Sequence, residues 1–425
     1  MYIVMKIIEL NKLNSYKIIK KKNKTNRDIR LYFLKNIKLI GHSNHYPDIL
    51  FKELNKQISI LPIKEMCMSL QKKSYYEENG MKYEYCDQSS VNYNIITSDV
   101  YFFIYNTENY YHFIYDTLPY LYCFLKLRKQ NKNIKLLMNY NKNKNNLLPF
   151  VKESLELLNI TKNDIIIHKS NNIYKNLYCS NSLTHDGLSN QPPRKEIFEI
   201  YEKMTTNALQ QSFKYKNISF NKIYISRRTW INNNVTDNIG TNYTTRRKLM
   251  NEDDLVNKLK EDNFIEIFGE NYSMTEKILL FYNAKVIIGA IGGTIANCVF
   301  ANKETKIITI VSPEFLKINY RMKFLFNDNV TLFEDTYLDC KKGEIPPNVR
   351  IEVTNKDSIY FKNIGEIVQK KDDGYTIKLG KNFIGFNQNE QYETIILKKT
   401  QFKQLDNGIN SPYRINIKTL LDNLN

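Results

Sequence analysis

The segment Asn109-Tyr110-Tyr111-His112-Phe113-Ile114-Tyr115-Asp116-Thr117-Leu118-Pro119 places an imidazole and a carboxylate four residues apart. On a helix that spacing puts both on one face, within hydrogen-bonding reach. A carboxylate that holds one ring nitrogen leaves the other free to take a proton from a hydroxyl. Spacing alone does not separate this pair from a structural histidine in an aromatic helix that Pro119 ends. A second candidate is Tyr224-Ile225-Ser226-Arg227-Arg228. Two guanidinium groups at the carboxyl end of a parallel strand sit where open α/β sheets bind ligands, and they suit a diphosphate. A solvated basic loop accounts for them too, since Arg246-Arg247-Lys248 follows.

The third candidate is Gly289-Ala290-Ile291-Gly292-Gly293-Thr294-Ile295-Ala296-Asn297. Glycines between a strand and a helix let backbone approach a ligand, and a helix start offers free N–H groups to phosphate. The pattern is not the dinucleotide fingerprint, and no P-loop lysine follows. A tight turn packing helix against sheet uses the same residues. Glu276 is of a type that binds a ribose hydroxyl, but Ser273-x-x-Glu276 spells a capping box that already explains it. Glu252 falls in the first turn of an expected helix, where negative charge is favourable.

These residues need elements to hold them. Val100–Tyr105 is a continuous apolar run and reads as a buried strand, followed by helical spacing over Asn109–Leu127. Ile134–Met138, Asp164–His168 and Ile173–Cys179 read as strands. Leu147–Leu158 reads as a helix with Pro149 in its first turn, and Arg194–Leu209 as a helix opened by Pro192-Pro193. Further on, strands at Lys222–Ser226, Phe264–Phe268, Val286–Gly289 and Thr305–Val311 alternate with helices. Those helices are Asn251–Lys260, with Asn251 as N-cap, Met274–Asn283, and a short one reaching Phe300. Such alternation implies a parallel sheet and a Rossmann-like domain. Beyond Pro346 short strand-like runs, among them Ile359–Phe361 and Ile384–Phe386, predict a small β-rich appendage.

A chain of 425 residues suggests two core domains and a smaller part. With 42% hydrophobic and 25% charged residues, the composition is globular rather than disordered. A net charge of +18 favours anionic partners. The excess is spread along the chain as Lys among Asn, Ile and Tyr, which AT-rich codon usage also produces, so it does not argue for nucleic acid. Six scattered cysteines without a C-x-x-C pair point to neither a zinc site nor a disulfide scaffold. No apolar run has the length of a membrane span and no signal peptide is readable, so the expected location is cytoplasmic.

In order and spacing these pieces resemble glycosyltransferase family 61. Asn109 to Pro119 is similar to the family's N-x-x-H-[FW]-x-x-D-x-L-P motif, and Tyr224–Arg227 to its strand ending in S-R. Arg246 to Glu252 matches R-R-x-x-x-N-E, and Ile288–Asn297 with Phe300 resembles its glycine motif. The resemblance implies an α/β, GT-B-like fold, with two Rossmann-like domains facing a cleft and a small β-rich C-terminal segment. The corresponding division is an N-terminal extension over 1–60, an acceptor-side domain over 61–212, a nucleotide-sugar domain over 213–345 and an appendage over 346–425.

The resemblance further implies an inverting O-glycosyltransferase, hexosyl or pentosyl, acting from a nucleotide-sugar on a hydroxyl of a glycan or protein acceptor. His112 and Asp116 would be catalytic and Asn109 acceptor-side. Arg227, Arg228, Gly292, Gly293, Thr294, Asn297 and Glu276 would bind the donor. No cofactor is required, and a divalent metal would at most stimulate; Asp253-Asp254 lies inside an expected helix. Two positions depart from the family: Ile291 replaces the glycine motif's His, and Lys277 the usual Gln after Glu276. Ile291 keeps open an alternative, a catalytically inactive relative that binds glycans or serves a structural role. Neither a nucleic-acid motif nor a dehydrogenase glycine pattern supports those other classes.

Overall fold

The computed structural model describes residues 6–9, 29–40, 48–51, 56–58, 93–104, 107–140, 146–169, 171–180, 183–184, 193–215, 218–228, 247–313, 329–338, 344–347, 349–379, 393–405 and 411–424. The expectations for Tyr105, Pro192, Arg246, Ile384–Phe386 and three of the cysteines (Cys67, Cys86, Cys340) lie outside these residues. Two units make up the chain: Met1–Lys216 with Ser273–Ile278, and Asn217–Tyr272 with Leu279–Asn425.

In the first unit the strands are β1 (Lys6–Glu9), β2 (Arg30–Ile40), β3 (Asp48–Phe51), β4 (Lys56–Ile58), β5 (Asn94–Phe102), β6 (Lys135–Met138), β7 (Ile165–Ile167) and β8 (Asn172–Ser180). They form one sheet in the order β4-β3-β2-β8-β5-β6-β7, with β1 beside β2. The strands β8-β5-β6-β7 run parallel, whereas β2 joins β8, and β3 joins β2, antiparallel. Residues 1–60, expected as an N-terminal extension with a few strands, supply four strands to this sheet. The short apolar pieces between lysines are what such strands require: Leu31, Leu34, Ile37 and Leu39 of β2 are all buried. Helices α1 (Tyr110–His112), α2 (Leu121–Gln130), α3 (Pro149–Leu157) and α4 (Phe198–Gln210) complete the unit. Pro149 opens α3 as expected, where a missing N–H is harmless.

Beyond β7, His168 Nδ1 lies 2.6 Å from the Tyr174 hydroxyl. Burial pulls the imidazole pKa down to about 4. The unfolded chain therefore takes up the proton first as pH falls. Stability is full above the ordinary histidine range and declines from about pH 6.5 to about pH 4, by roughly 3 kcal/mol. Denaturant unfolding of His168→Gln across that window should show a correspondingly shallower acid limb.

The second unit carries a fully parallel sheet of β9 (Lys222–Ile225), β10 (Ile265–Ile267), β11 (Val286–Ala290), β12 (Lys306–Ile310) and β13 (Val330–Phe333), in the order β10-β9-β11-β12-β13. Helices α5 (Glu252–Glu261) and α6 (Met274–Asn283) and a 3₁₀ segment, Thr294–Phe300, connect them. In order of appearance the strands run 2-1-3-4-5. The connections therefore diverge between β9 and β11, and such a switch point leaves a crevice at the strands' carboxyl ends.

Strand β14 (Thr336–Tyr337) precedes a separate antiparallel sheet of β15 (Arg350–Val353), β16 (Ile364–Lys371), β17 (Gly374–Leu379), β18 (Glu393–Leu397) and β19 (Phe402–Gln404). Ile359–Phe361, expected as a strand, is instead an exposed turn between β15 and β16. The β-rich part ends with β19. Strand β20 (Arg414–Ile415) pairs with β14, and α7 (Ile417–Asp422) follows. Tyr413, Ile415 and Leu420 are buried in one core with Tyr224, Leu249, Leu255 and Ile288, so residues 411–424 belong to the parallel-sheet core.

Candidate functional site

Asn109 caps α1: its side-chain oxygen accepts from the His112 N–H at 3.2 Å, which satisfies a donor that the helix start leaves open. After His112 the chain widens into a π turn, Phe113–Thr117, then tightens into a 3₁₀ turn, Leu118–Tyr120, before α2. The regular helix expected over Asn109–Leu127 is therefore interrupted, and the sequence supplies the reason. Pro119 has no N–H for the i−4 carbonyl. The Leu118 N–H donates to the Phe113 carbonyl, five residues back. The Ile114 carbonyl, left without that donor, accepts from the buried Tyr201 hydroxyl of α4 at 2.8 Å. Single π turns of this kind recur at functional sites.

The π turn carries Asp116. His112 Nδ1 and Asp116 Oδ2 are 2.6 Å apart, the His112 side chain is 20% exposed and that of Asp116 12%. The expected pair is present, and its geometry leaves His112 Nε2 outside the ion pair. Tyr111 packs edge-on against His112, with ring centroids 5.3 Å apart, and stacks on Tyr115. These rings restrict the imidazole's rotamers. Because Tyr201 supports the carbonyl freed by the π turn, Tyr201→Phe should cost about 1–3 kcal/mol. It should also lower turnover without a matching change in substrate KM, as unfolding and steady-state rates measured on one preparation would show.

Lys277, where the family carries Gln, is buried on the first turn of α6, its ammonium 4.7 Å from the centre of the Tyr110 ring. Glu276 beside it accepts from the Ser273 N–H at 2.7 Å, while the Glu276 N–H donates to the Ser273 hydroxyl at 3.3 Å. The capping box is complete, and it engages the carboxylate that had been a donor-binding candidate.

In the second unit, Ser226-Arg227-Arg228 leaves β9 at the switch point. Arg227 Nη1 donates to the Ile291 carbonyl at 2.7 Å, spanning the ends of β9 and β11. Gly292 makes this possible: a Cβ there would fall on Arg227 Nη1. Ile291's own side chain is buried, so the position where the family has His contributes its backbone carbonyl to the site. Gly293 precedes the 3₁₀ segment, and Thr294 lies so close to Gly269 that no larger residue fits opposite it.

Two residues expected at the donor have close partners within the unit. Arg228 Nη2 donates to both Glu266 oxygens at 2.6 and 2.7 Å, and its Nη1 to Asp253 at 2.5 Å. Asn297 is wholly enclosed, with its amide donating to the Thr294 carbonyl at 2.8 Å, so it shapes the turn from within.

Glu252 is the residue that sequence reasoning undervalued. Its side chain is not turned to the helix start but buried beneath the end of β9. Oε1 accepts from the Arg227 N–H at 2.7 Å and from the Tyr224 hydroxyl at 2.8 Å. Burial raises its pKa, against the opposing pull of those bonds and of the Arg227 and Arg228 charges. The signal available in sequence was its place directly after Asn251 in the arginine-bearing motif. Among the described residues no cluster of three or more His, Cys, Asp or Glu side chains could hold a metal, and no helix is long and apolar enough to cross a membrane.

A family model described as Glycosyltransferase 61 matches residues 110–308, from α1 through β12. No curated protein matches the chain.

Proposed function

Because residues 110–308 belong to glycosyltransferase family 61, we propose that the protein is an inverting O-glycosyltransferase. It would take a hexose or pentose from a nucleotide-sugar and place it on a hydroxyl of a glycan or protein acceptor. The observation that carries this reading is the His112–Asp116 pair, held at 2.6 Å by a π turn within the family segment.

The mechanism is a single displacement. Asp116 fixes Nδ1 of His112, and Nε2 takes the proton of the acceptor hydroxyl. The acceptor oxygen forms its bond to the anomeric carbon as the bond from that carbon to the diphosphate oxygen breaks, which inverts the configuration. The departing diphosphate carries the negative charge, which Arg227 and the backbone at Gly292-Gly293 stabilise. The fold that the family resemblance implies for such an enzyme is GT-B-like. The family resemblance implies that no metal is required, with a divalent metal at most stimulatory.

The Ile291 substitution favours one other reading, an inactive relative that binds glycans. Thermal unfolding with a panel of nucleoside diphosphates and nucleotide-sugars separates the two, because a ligand bound only to the folded state raises Tm. A selective rise with one nucleotide, followed by transfer to a glycan array, supports the enzyme. No rise across the panel favours the glycan-binding relative.

A further inference from the structure

The end of β9 is set by a buried acid that the mechanism above does not use. Glu252 Oε1 draws together the Arg227 N–H and the Tyr224 hydroxyl, with the Ser226 hydroxyl at 3.5 Å. Polar groups of Tyr224, Ser226 and Arg227, at and just past the strand end, thus converge on one oxygen. Its companion, Oε2, is buried with no hydrogen-bond partner among the described residues. Arg227, whose backbone is held this way, is the residue whose guanidinium reaches Ile291 across the switch point.

Glu252 is in turn placed from outside the family-matched segment. Leu249 forms a β-bridge with Tyr413, in which the Met250 N–H donates to the Tyr413 carbonyl at 2.8 Å and the Tyr413 N–H to the Lys248 carbonyl at 3.0 Å. Asn251, expected as an N-cap, makes no cap bond. Its amide donates to the Ile415 carbonyl at 2.9 Å, and its oxygen accepts from the Ile415 N–H at 3.1 Å. A side chain thus imitates a strand neighbour and fixes the residue just before Glu252.

We propose that Glu252 is a positioning residue for the Arg227 guanidinium, held in register by residues 411–415 through Asn251. The assignment rests on the reading of Arg227 as a diphosphate contact. A role confined to helix stability does not explain the arrangement, because Oε1 serves the end of β9. Nor does simple burial explain it, since a buried carboxyl is costly unless its bonds matter locally.

The test is calorimetric titration with UDP, GDP and CDP of the wild type, Arg227→Ala, Glu252→Met, Glu252→Gln and Asn251→Ala, with Tm recorded for each. It is paired with a crystal structure of Glu252→Met. Methionine keeps the length of the side chain and removes the acceptor. The proposal expects Glu252→Met to bind the preferred nucleotide about tenfold to a hundredfold more weakly while folded. The Arg227 Nη1–Ile291 bond should be broken in its crystal structure. Glu252→Gln, which keeps an oxygen at the Oε1 position, should recover most of the affinity. Weak binding by Arg227→Ala with full binding by folded Glu252→Met overturns the proposal and leaves the function standing. If the wild type binds none of the three, the functional reading fails, and the crystal structure alone decides positioning: an intact Arg227–Ile291 bond overturns it. Should Glu252→Met not fold, Asn251→Ala decides, with unchanged affinity overturning the proposal and weakened affinity supporting it.

Discussion

Replacing His112 with alanine should lower kcat by about 10²- to 10⁴-fold while the protein stays folded. The expectation follows from where the imidazole sits. Its Nδ1 is committed to Asp116, its ring is flanked by Tyr111, and it caps a π turn whose backbone bonds do not involve its side chain. Removing the ring thus deletes a proton acceptor with little effect on the turn. Asp116→Asn is the sharper variant. A carboxylate accepts the proton of Nδ1 and leaves Nε2 as the base. An asparagine can instead donate its amide proton to Nδ1, which moves the ring proton to Nε2 and blocks the acceptor hydroxyl. The loss should therefore approach that of His112→Ala although the shape is nearly preserved. Steady-state kinetics with Tm as control measures both; turnover near the wild-type level in either variant would return His112 to a structural role.

The parts of this site that sequence revealed are those fixed by neighbours along the chain. The four-residue spacing of His112 and Asp116, the Ser273–Glu276 box, Pro149 at a helix start and the alternation that builds β9 to β12 all depend on contacts within a few residues. What was missed depends on distant partners. The π turn needs Tyr201 to take the Ile114 carbonyl, and nothing near Ile114 announces that. The ion pairs of Arg228 were not legible because Glu266 and Asp253, which engage it, lie on later elements. Asn251 has the residue type and place of an N-cap, yet Ile415 takes its side chain. The same remoteness hid the return of residues 411–424 to the parallel-sheet core, and the pairing of β2 with β8 that draws residues 1–60 into the first sheet.

Arg227→Lys should weaken nucleoside diphosphate binding nearly as much as Arg227→Ala, because the site uses the guanidinium's geometry as well as its charge. One nitrogen, Nη1, is taken by the Ile291 carbonyl, which holds the plane of the fork at the crevice between β9 and β11. Its delocalised, permanent charge is what a diphosphate would meet. An ammonium could satisfy Ile291 or the phosphate, but it has no rigid fork with which to serve both. Each lost charge-assisted hydrogen bond is worth about 1.5–3 kcal/mol, so either variant should bind roughly tenfold to a hundredfold more weakly. Gly292→Ala provides the complementary result without touching the arginine. Its methyl would occupy the space of Nη1, so the guanidinium must leave the Ile291 carbonyl. If Arg227 acts through its placement, Gly292→Ala should reproduce much of the Arg227→Lys loss, and the double variant should add little to either single change, as coupled residues do. Full additivity in calorimetry would mean that the glycine and the arginine act separately, and that the carbonyl bond is incidental to nucleotide binding.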